Sequence, residues 1–271
     1  MRYGVLADVH GNLHALEAVV ARLTRERLDG WICAGDLVGY GPFPNECVER
    51  LAELGALCVA GNHDLLAVGR LAQGLPLLAQ TTLDWTRSVL STPARTRLAN
   101  LAVVARAGKE IVVAHGSLHD PCEYVDDGRR ATAALTEVAL EHPEARVLVL
   151  GHTHHAAART RSGPLRPDST GMVLLPDDLV LLNPGSVGQA RERRPLARAL
   201  VLDVEAATAT FHALDYDIVG CRRALRAAGL PEEAAHLQPS LAGRLRSRAG
   251  LLRHNLARVP AGSPPSTTAR L

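Results

Sequence analysis

Five short polar clusters in this 271-residue chain bring together residue types that can do chemistry: Asp8-Val9-His10, Gly35-Asp36, Gly61-Asn62-His63-Asp64, His115-Gly116 and Gly151-His152-Thr153-His154. Each follows or ends a short apolar, β-branched run, so each is predicted to stand where a buried strand ends. In open α/β sheets, side chains leaving the carboxyl ends of neighbouring strands converge on one crevice, and ligands bind there. A lone Asp-x-His reads as a turn or cap, because Asp and Asn hydrogen-bond locally to their own backbone. The same placement in five clusters, four of them carrying glycine, points instead to backbone passing close to an ion or a phosphate.

The donors gathered in this way are Asp8, His10, Asp36, Asn62, His115, His152 and His154. Carboxylate, amide oxygen and imidazole without thiolate suit Mn²⁺, Fe or Zn²⁺ better than the all-oxygen sites of Mg²⁺ or Ca²⁺. Seven donors are most economically arranged around two divalent ions about 3.5 to 4 Å apart that share one carboxylate, the spacing used for in-line displacement at phosphorus. Asp36 is the natural bridge. The cysteines, Cys33, Cys47, Cys58, Cys122 and Cys221, are odd in number and form no Cys-x-x-Cys pair. They read as reduced core residues, and cysteine-based structural zinc is excluded.

The elements that must position these residues follow from patterning. Apolar runs at 2–7, 30–34, 56–60, 111–115 and 146–150 read as strands. Leu13, Leu16, Val20 and Leu23, after a cap at Asn12, and then Cys47, Leu51 and Leu54, supply helical faces between the first three, which gives βαβαβ. From Ala156 onward, closely spaced runs at 171–175, 180–183, 199–204 and 208–214 suggest an antiparallel second sheet. Residues 65–101 read as a helical cap insertion broken at Pro76 and Pro93, and residues 117–142 as a polar loop beside His115 that is placed to shape a pocket. C-terminal helices are expected over 217–258, where Leu241, Leu245, Leu252 and Leu256 form one face, followed by a flexible tail at 259–271 rich in Pro, Ser, Thr and Ala. The expected organisation is one domain over 1–258.

Composition narrows the class of function. Apolar residues make up 47% and charged residues 21%, and the net charge is only +2, so disorder and a dedicated nucleic-acid surface are both disfavoured. No apolar stretch is long enough for a membrane-spanning helix, and the N-terminal run is too short for a signal peptide. A cytoplasmic protein with no membrane partner is expected.

The five clusters, in this order, resemble the motifs of the calcineurin-like metallophosphoesterases. The resemblance covers residues 1 to about 215, including Asn183-Pro184-Gly185-Ser186-Val187-Gly188, which is similar to a segment of bacterial and archaeal members. It implies a four-layer α/β/β/α sandwich of two mixed sheets flanked by helices. It also implies that Asp8, His10, Asp36 and His154 hold one ion, and Asp36, Asn62, His115 and His152 the other, with a shared hydroxide attacking phosphorus in line. His63 is then the non-ligand that contacts phosphate and protonates the leaving oxygen, with Asp64 fixing its tautomer. The alternative for His63 is an orienter of ligands. His119 and His155 match no ligand position.

The implied reaction is hydrolysis of a phosphomonoester or phosphodiester, with a small-molecule ester or a nucleotide as substrate. Residues 35–46 look like those of small bacterial and archaeal phosphoesterases. In the Ser/Thr protein phosphatases and diadenosine tetraphosphate hydrolases, Gly-Asp leads into a phosphate-binding arginine; here Tyr40 occupies that region. The substitution disfavours protein phosphatase activity and leaves a dinucleoside polyphosphate hydrolase as the runner-up. A nuclease lacks a basic track, and a non-catalytic scaffold does not fit a complete donor set. Arg129, Arg130, Arg191, Arg193 and Arg194 are the candidates to supply the missing arginine, and the sequence does not place them.

Overall fold

The computed structural model describes residues 1–238. The first half runs β1 (Arg2–Leu6), α1 (Leu13–Leu23), β2 (Gly30–Cys33), α2 (Pro44–Glu53), β3 (Leu57–Cys58), α3 (Asn62–Ala67), α4 (Leu77–Val89), α5 (Thr92–Ala99), β4 (Val104–Ala107) and β5 (Ile111–Ala114). The second runs α6 (Gly128–Glu141), β6 (Val147–Val149), β7 (Ala157–Thr160), β8 (Gly163–Pro164), β9 (Met172–Leu174), β10 (Val180–Asn183), β11 (Ala197–Asp203), β12 (Thr208–Leu214) and α7 (Ile218–Ala227). The leucine face at 241–256 and the tail at 259–271 lie outside the described residues.

Local signals account for most element starts. Asn12 accepts from the Ala15 amide at 3.1 Å and opens α1 on the face made by Leu16, Val19, Val20 and Leu23. Pro76 and Pro93 act as starts rather than interior breaks: Pro76 precedes α4, and Pro93 lies in the first turn of α5, where its missing N–H has no helical partner to lose. Asp127 caps α6 through the Arg130 amide at 2.9 Å. The expected polar loop at 117–142 is therefore corrected: residues 128–141 are helical, and burial of Ala131, Ala134, Leu135 and Val138 against the sheet overrides the surrounding polar residues.

Two six-stranded mixed sheets form, in the orders β3-β2-β1-β11-β12-β9 and β4-β5-β6-β10-β7-β8. Strand alternation sorts side chains into layers. Val5, Ile32, Ile111, Val113, Val147, Val149, Leu182, Leu200 and Leu202 meet between the sheets. Leu6, Cys33, Ala199 and Val201 face α1 to α5, whereas Val112, Ala114, Leu148 and Leu181 face α6. The result is the α/β/β/α sandwich. The separate antiparallel second sheet is corrected: β9, β11 and β12 extend the sheet of β1, whereas β10 runs parallel to β6 in the other. Apolar runs reveal that a strand exists but not which distant strand it pairs with, and here β10 belongs to one sheet while β9 before it and β11 after it belong to the other. The five polar clusters consequently converge from two sheets rather than along one edge.

Candidate metal centre

Backbone hydrogen bonds tie the loop after β1 to those after β2 and β10, and the loop after β6 to that after β5. The Asp8 amide donates to Gly35 O at 3.0 Å, His10 to Asp36 O at 2.9 Å, Gly151 to His115 O at 2.9 Å and Gly188 to Asp8 O at 3.0 Å. Asp8, His10, Asp36, Tyr40, His152 and His154 all adopt positive φ, between 50° and 63°, a conformation that costs non-glycine residues on the order of 1 to 3 kcal/mol each. Such strain collected at one place marks a functional site. Gly61 permits a close approach, since a Cβ there would collide with Asp36 Oδ1.

All seven expected ligands are buried, Asp8 and His10 completely and His152 least at 6% exposed. Asp8, His10 and His154 form one potential ion-holding group, Asp36, His115 and His152 a second, and His10, Asp36 and His63 a third, each with ligand atoms within 4.8 Å of one another. Asp36 Oδ2 lies 3.6 Å from His10 Nε2 and 3.3 Å from His115 Nε2, between the first two groups. Asn62 reaches the second group, its Oδ1 lying 3.2 Å from His115 Nε2.

Backbone carbonyls fix the imidazole tautomers. His10 Nδ1 donates to Val38 O at 3.1 Å, His154 Nδ1 to Gln189 O at 2.6 Å, His115 Nδ1 to Ala34 O at 2.7 Å and His152 Nε2 to Cys122 O at 3.0 Å. In a neutral ring the second nitrogen then carries a lone pair. His10 Nε2 and His154 Nε2 consequently face each other as two acceptors 3.2 Å apart. Asp8 Oδ2 is buried with no donor. Opposed lone pairs and an orphaned carboxylate oxygen repel unless a cation lies among them, so the donor set fits divalent metal.

The electrostatics make the same demand. Burial pushes Asp8 up to about 7, opposed by His115. Burial also acts most strongly on Asp36, yet the His115, His63 and His10 imidazoles hold its carboxyl well below the usual range. Burial opposes charge on His115, but Asp36 raises it to about 9, so a proton supplies positive charge in the metal-free cluster. Burial, reinforced by His115, lowers His152 to about 4, and burial holds His10 and His154 well below the ordinary imidazole value.

His63 lies beside this cluster, its amide donating to Asp36 Oδ1 at 2.8 Å and its ring 4.9 Å from that of His10. The expected pairing with Asp64 is corrected. Asp64 accepts from the Leu37, Val38 and Gly61 amides at 2.9, 3.1 and 2.9 Å, while His63 Nδ1 has no partner. Asp64 thus braces the loops after β2 and β3 and acts on His63 only through them. Burial, with Asp36, raises Asp64 to about 7.

The centre opens into a cavity of about 460 Å³ lined by Asp36, Asn62, His63, His152 and His154 together with Tyr40, Tyr124, Arg191 and the 73–79 segment. Tyr40 packs edge-on to His10 at 4.7 Å, and Tyr124 covers His152 at 4.1 Å. Sequence reading did not single out the tautomer-fixing carbonyls, which have no side-chain signature; the 117–142 segment expected to shape a pocket contributes Tyr124 to the cavity, and the expected 65–101 insertion contributes residues 73–79. His119 pairs with Glu141 at the surface, and His155 is exposed; neither belongs to the ion-holding groups.

Comparison with known proteins agrees with this geometry. The calcineurin-like phosphoesterase superfamily domain matches residues 1–207. A metallophosphoesterase from Sphaerobacter thermophilus is 33% identical, with a TM-score of 0.75 over 87% of this chain and 96% of that one. A hypothetical protein from Pyrococcus horikoshii OT3 shares the fold at 22% identity and a TM-score of 0.69, covering 86% and 96% of the two chains. An uncharacterized protein of Methanocaldococcus jannaschii is 29% identical over 227 residues, 79% of this chain and 87% of its own. With its two-sheet sandwich and its clusters of buried histidine and aspartate, the chain belongs to the calcineurin-like phosphoesterase superfamily.

Proposed function

We propose that the protein hydrolyses a phosphomonoester or phosphodiester with two divalent ions, Mn²⁺, Fe or Zn²⁺, held by Asp8, His10, Asp36 and His154 on one side and Asp36, Asn62, His115 and His152 on the other. The observation that carries this reading is the position of Asp36 Oδ2 between two sets of buried imidazole nitrogens at the floor of a cavity. When bound, such ions polarise phosphoryl oxygens and bring the pKa of water toward neutrality.

The side chains supply the rest. His63, the unpartnered imidazole beside Asp36, donates a proton to the leaving oxygen. Burial lowers its pKa while Asp36 raises it, and the negative charge of an arriving phosphate adds to the second effect. Tyr40 and Tyr124 shield the centre from bulk water. Among the described lining residues Arg191 is the sole Lys or Arg, which suits one phosphoryl group better than a polyphosphate chain and favours a simple ester over a dinucleoside tetraphosphate.

Steady-state hydrolysis of p-nitrophenyl phosphate and bis(p-nitrophenyl) phosphate, with Mn²⁺ and with chelator, tests the reading. Chelator-sensitive turnover of either ester is expected and ranks the two classes. Absence of turnover in the manganese-loaded protein, with diadenosine tetraphosphate split into mononucleotides, would instead support the polyphosphate reading.

A further inference from the structure

We propose that Arg191 binds the substrate phosphate from the loop after β10, replacing the arginine that the segment after Gly35-Asp36 lacks, and that Tyr124 holds it in position. The inference rests on the phosphoesterase reading of the same site. Of the five candidate arginines in the sequence, only Arg191 lines the cavity that contains Asp36, Asn62 and His63. Arg130 is engaged by Asp126 and Tyr124 O, and Arg194 pairs with Asp215.

Arg191 is set up for a ligand rather than for a structural ion pair. Its Nε donates to Gln189 Oε1 and its Nη1 to the Tyr124 hydroxyl, both at 3.2 Å. Both partners are neutral, and among the described residues Arg191 meets no carboxylate, whereas Arg198 nearby is paired with Glu192. A guanidinium has five N–H donors, so these two bonds leave roughly three for an anion.

The backbone around Arg191 is held on both sides. Leu237 N donates to Ala190 O at 3.0 Å and His236 Nε2 to Glu192 O at 2.7 Å. Two residues upstream, the Gln189 carbonyl receives His154 Nδ1. One short segment therefore fixes both a candidate metal ligand and the arginine, so their separation does not depend on a mobile loop. A fixed planar fork matches phosphate oxygens bidentately, which the neutral Tyr40 hydroxyl cannot do.

The test is calorimetric binding of inorganic phosphate to the manganese-loaded full chain, run beside p-nitrophenyl phosphate turnover, for the wild type, Arg191→Ala, Arg191→Lys and Tyr124→Phe. Metal content and thermal unfolding verify that each variant is loaded and folded. Arg191→Ala is expected to weaken phosphate binding and kcat/KM by about 10- to 100-fold, the loss of a hydrogen-bonded charge. Arg191→Lys should recover part of the phosphate affinity but less of kcat/KM, since a point charge replaces the fork, and Tyr124→Phe should show a smaller loss of the same kind. Wild-type phosphate affinity in loaded Arg191→Ala overturns the proposal while leaving the phosphoesterase reading intact. Arg191-dependent phosphate binding without hydrolysis of any ester supports the proposal and removes the phosphoesterase reading.

Discussion

At the scale of the residue, the centre depends on which nitrogen of each imidazole carries the proton. Main-chain carbonyls settle that for His10, His115, His152 and His154, and they leave the lone pairs of His10 and His154 opposed. The donor types and their order were legible in the sequence because metal coordination needs particular side chains. Their tautomers were not, since any residue can supply a carbonyl, and the pairing of His63 with Asp64 failed because three amides claim the Asp64 carboxylate. Two predictions belong here. His63→Ala should retain its metal and fold but lose about 10²- to 10⁴-fold in kcat on an alkyl phosphate. The loss on p-nitrophenyl phosphate should be smaller, because p-nitrophenolate leaves without a proton; comparing the two substrates measures the difference. Metal affinity should rise with pH between about 7 and about 9: below these values Asp8 and His115 hold protons that a cation must displace, and above them they do not. Calorimetric titrations with Mn²⁺ across this range, corrected for buffer protonation, read both the affinity and the protons released.

At the scale of the element, each ligand loop leaves the end of a strand, and β5 and β6 are buried on both faces. β5, β6 and β10 place Ile111, Val113, Val147, Val149, Val180 and Leu182 between the sheets, and this apolar content made their existence readable. Their partners were not readable, because pairing is decided by contacts far apart in sequence: β10 joins β6 in parallel while β11 returns antiparallel to β1. Leu182 has no exposed surface. Leu182→Ala should lower unfolding stability by about 2 to 5 kcal/mol in denaturant titrations, while the folded protein still binds metal because the ligands leave from other strands. Asp36→Ala should do the reverse. It removes the one carboxylate between both histidine groups, so elemental analysis should find the ion content collapsed in a chain that still folds.

At the scale of the whole molecule, two sheets meet face to face over one apolar layer, and their loops bring donors from residues 8 to 154 together. The first turns of α3 and α4, residues 73–76 and the loop holding Cys122 and Tyr124 line the same centre, giving it walls as well as a floor. Among the described residues no helix is long and apolar enough to cross a membrane. The four-layer outline was legible through the resemblance, whereas patterning alone divided the strands between the sheets incorrectly. This arrangement is proposed to form a two-ion centre that hydrolyses phosphate esters. It is tested most directly by titrating the metal-free protein with Mn²⁺ while following p-nitrophenyl phosphate hydrolysis and bound metal together. Activity is expected to rise with occupancy and to saturate at two ions per chain. Full activity without metal, or no turnover of this ester or its bis ester with two ions bound, would contradict it.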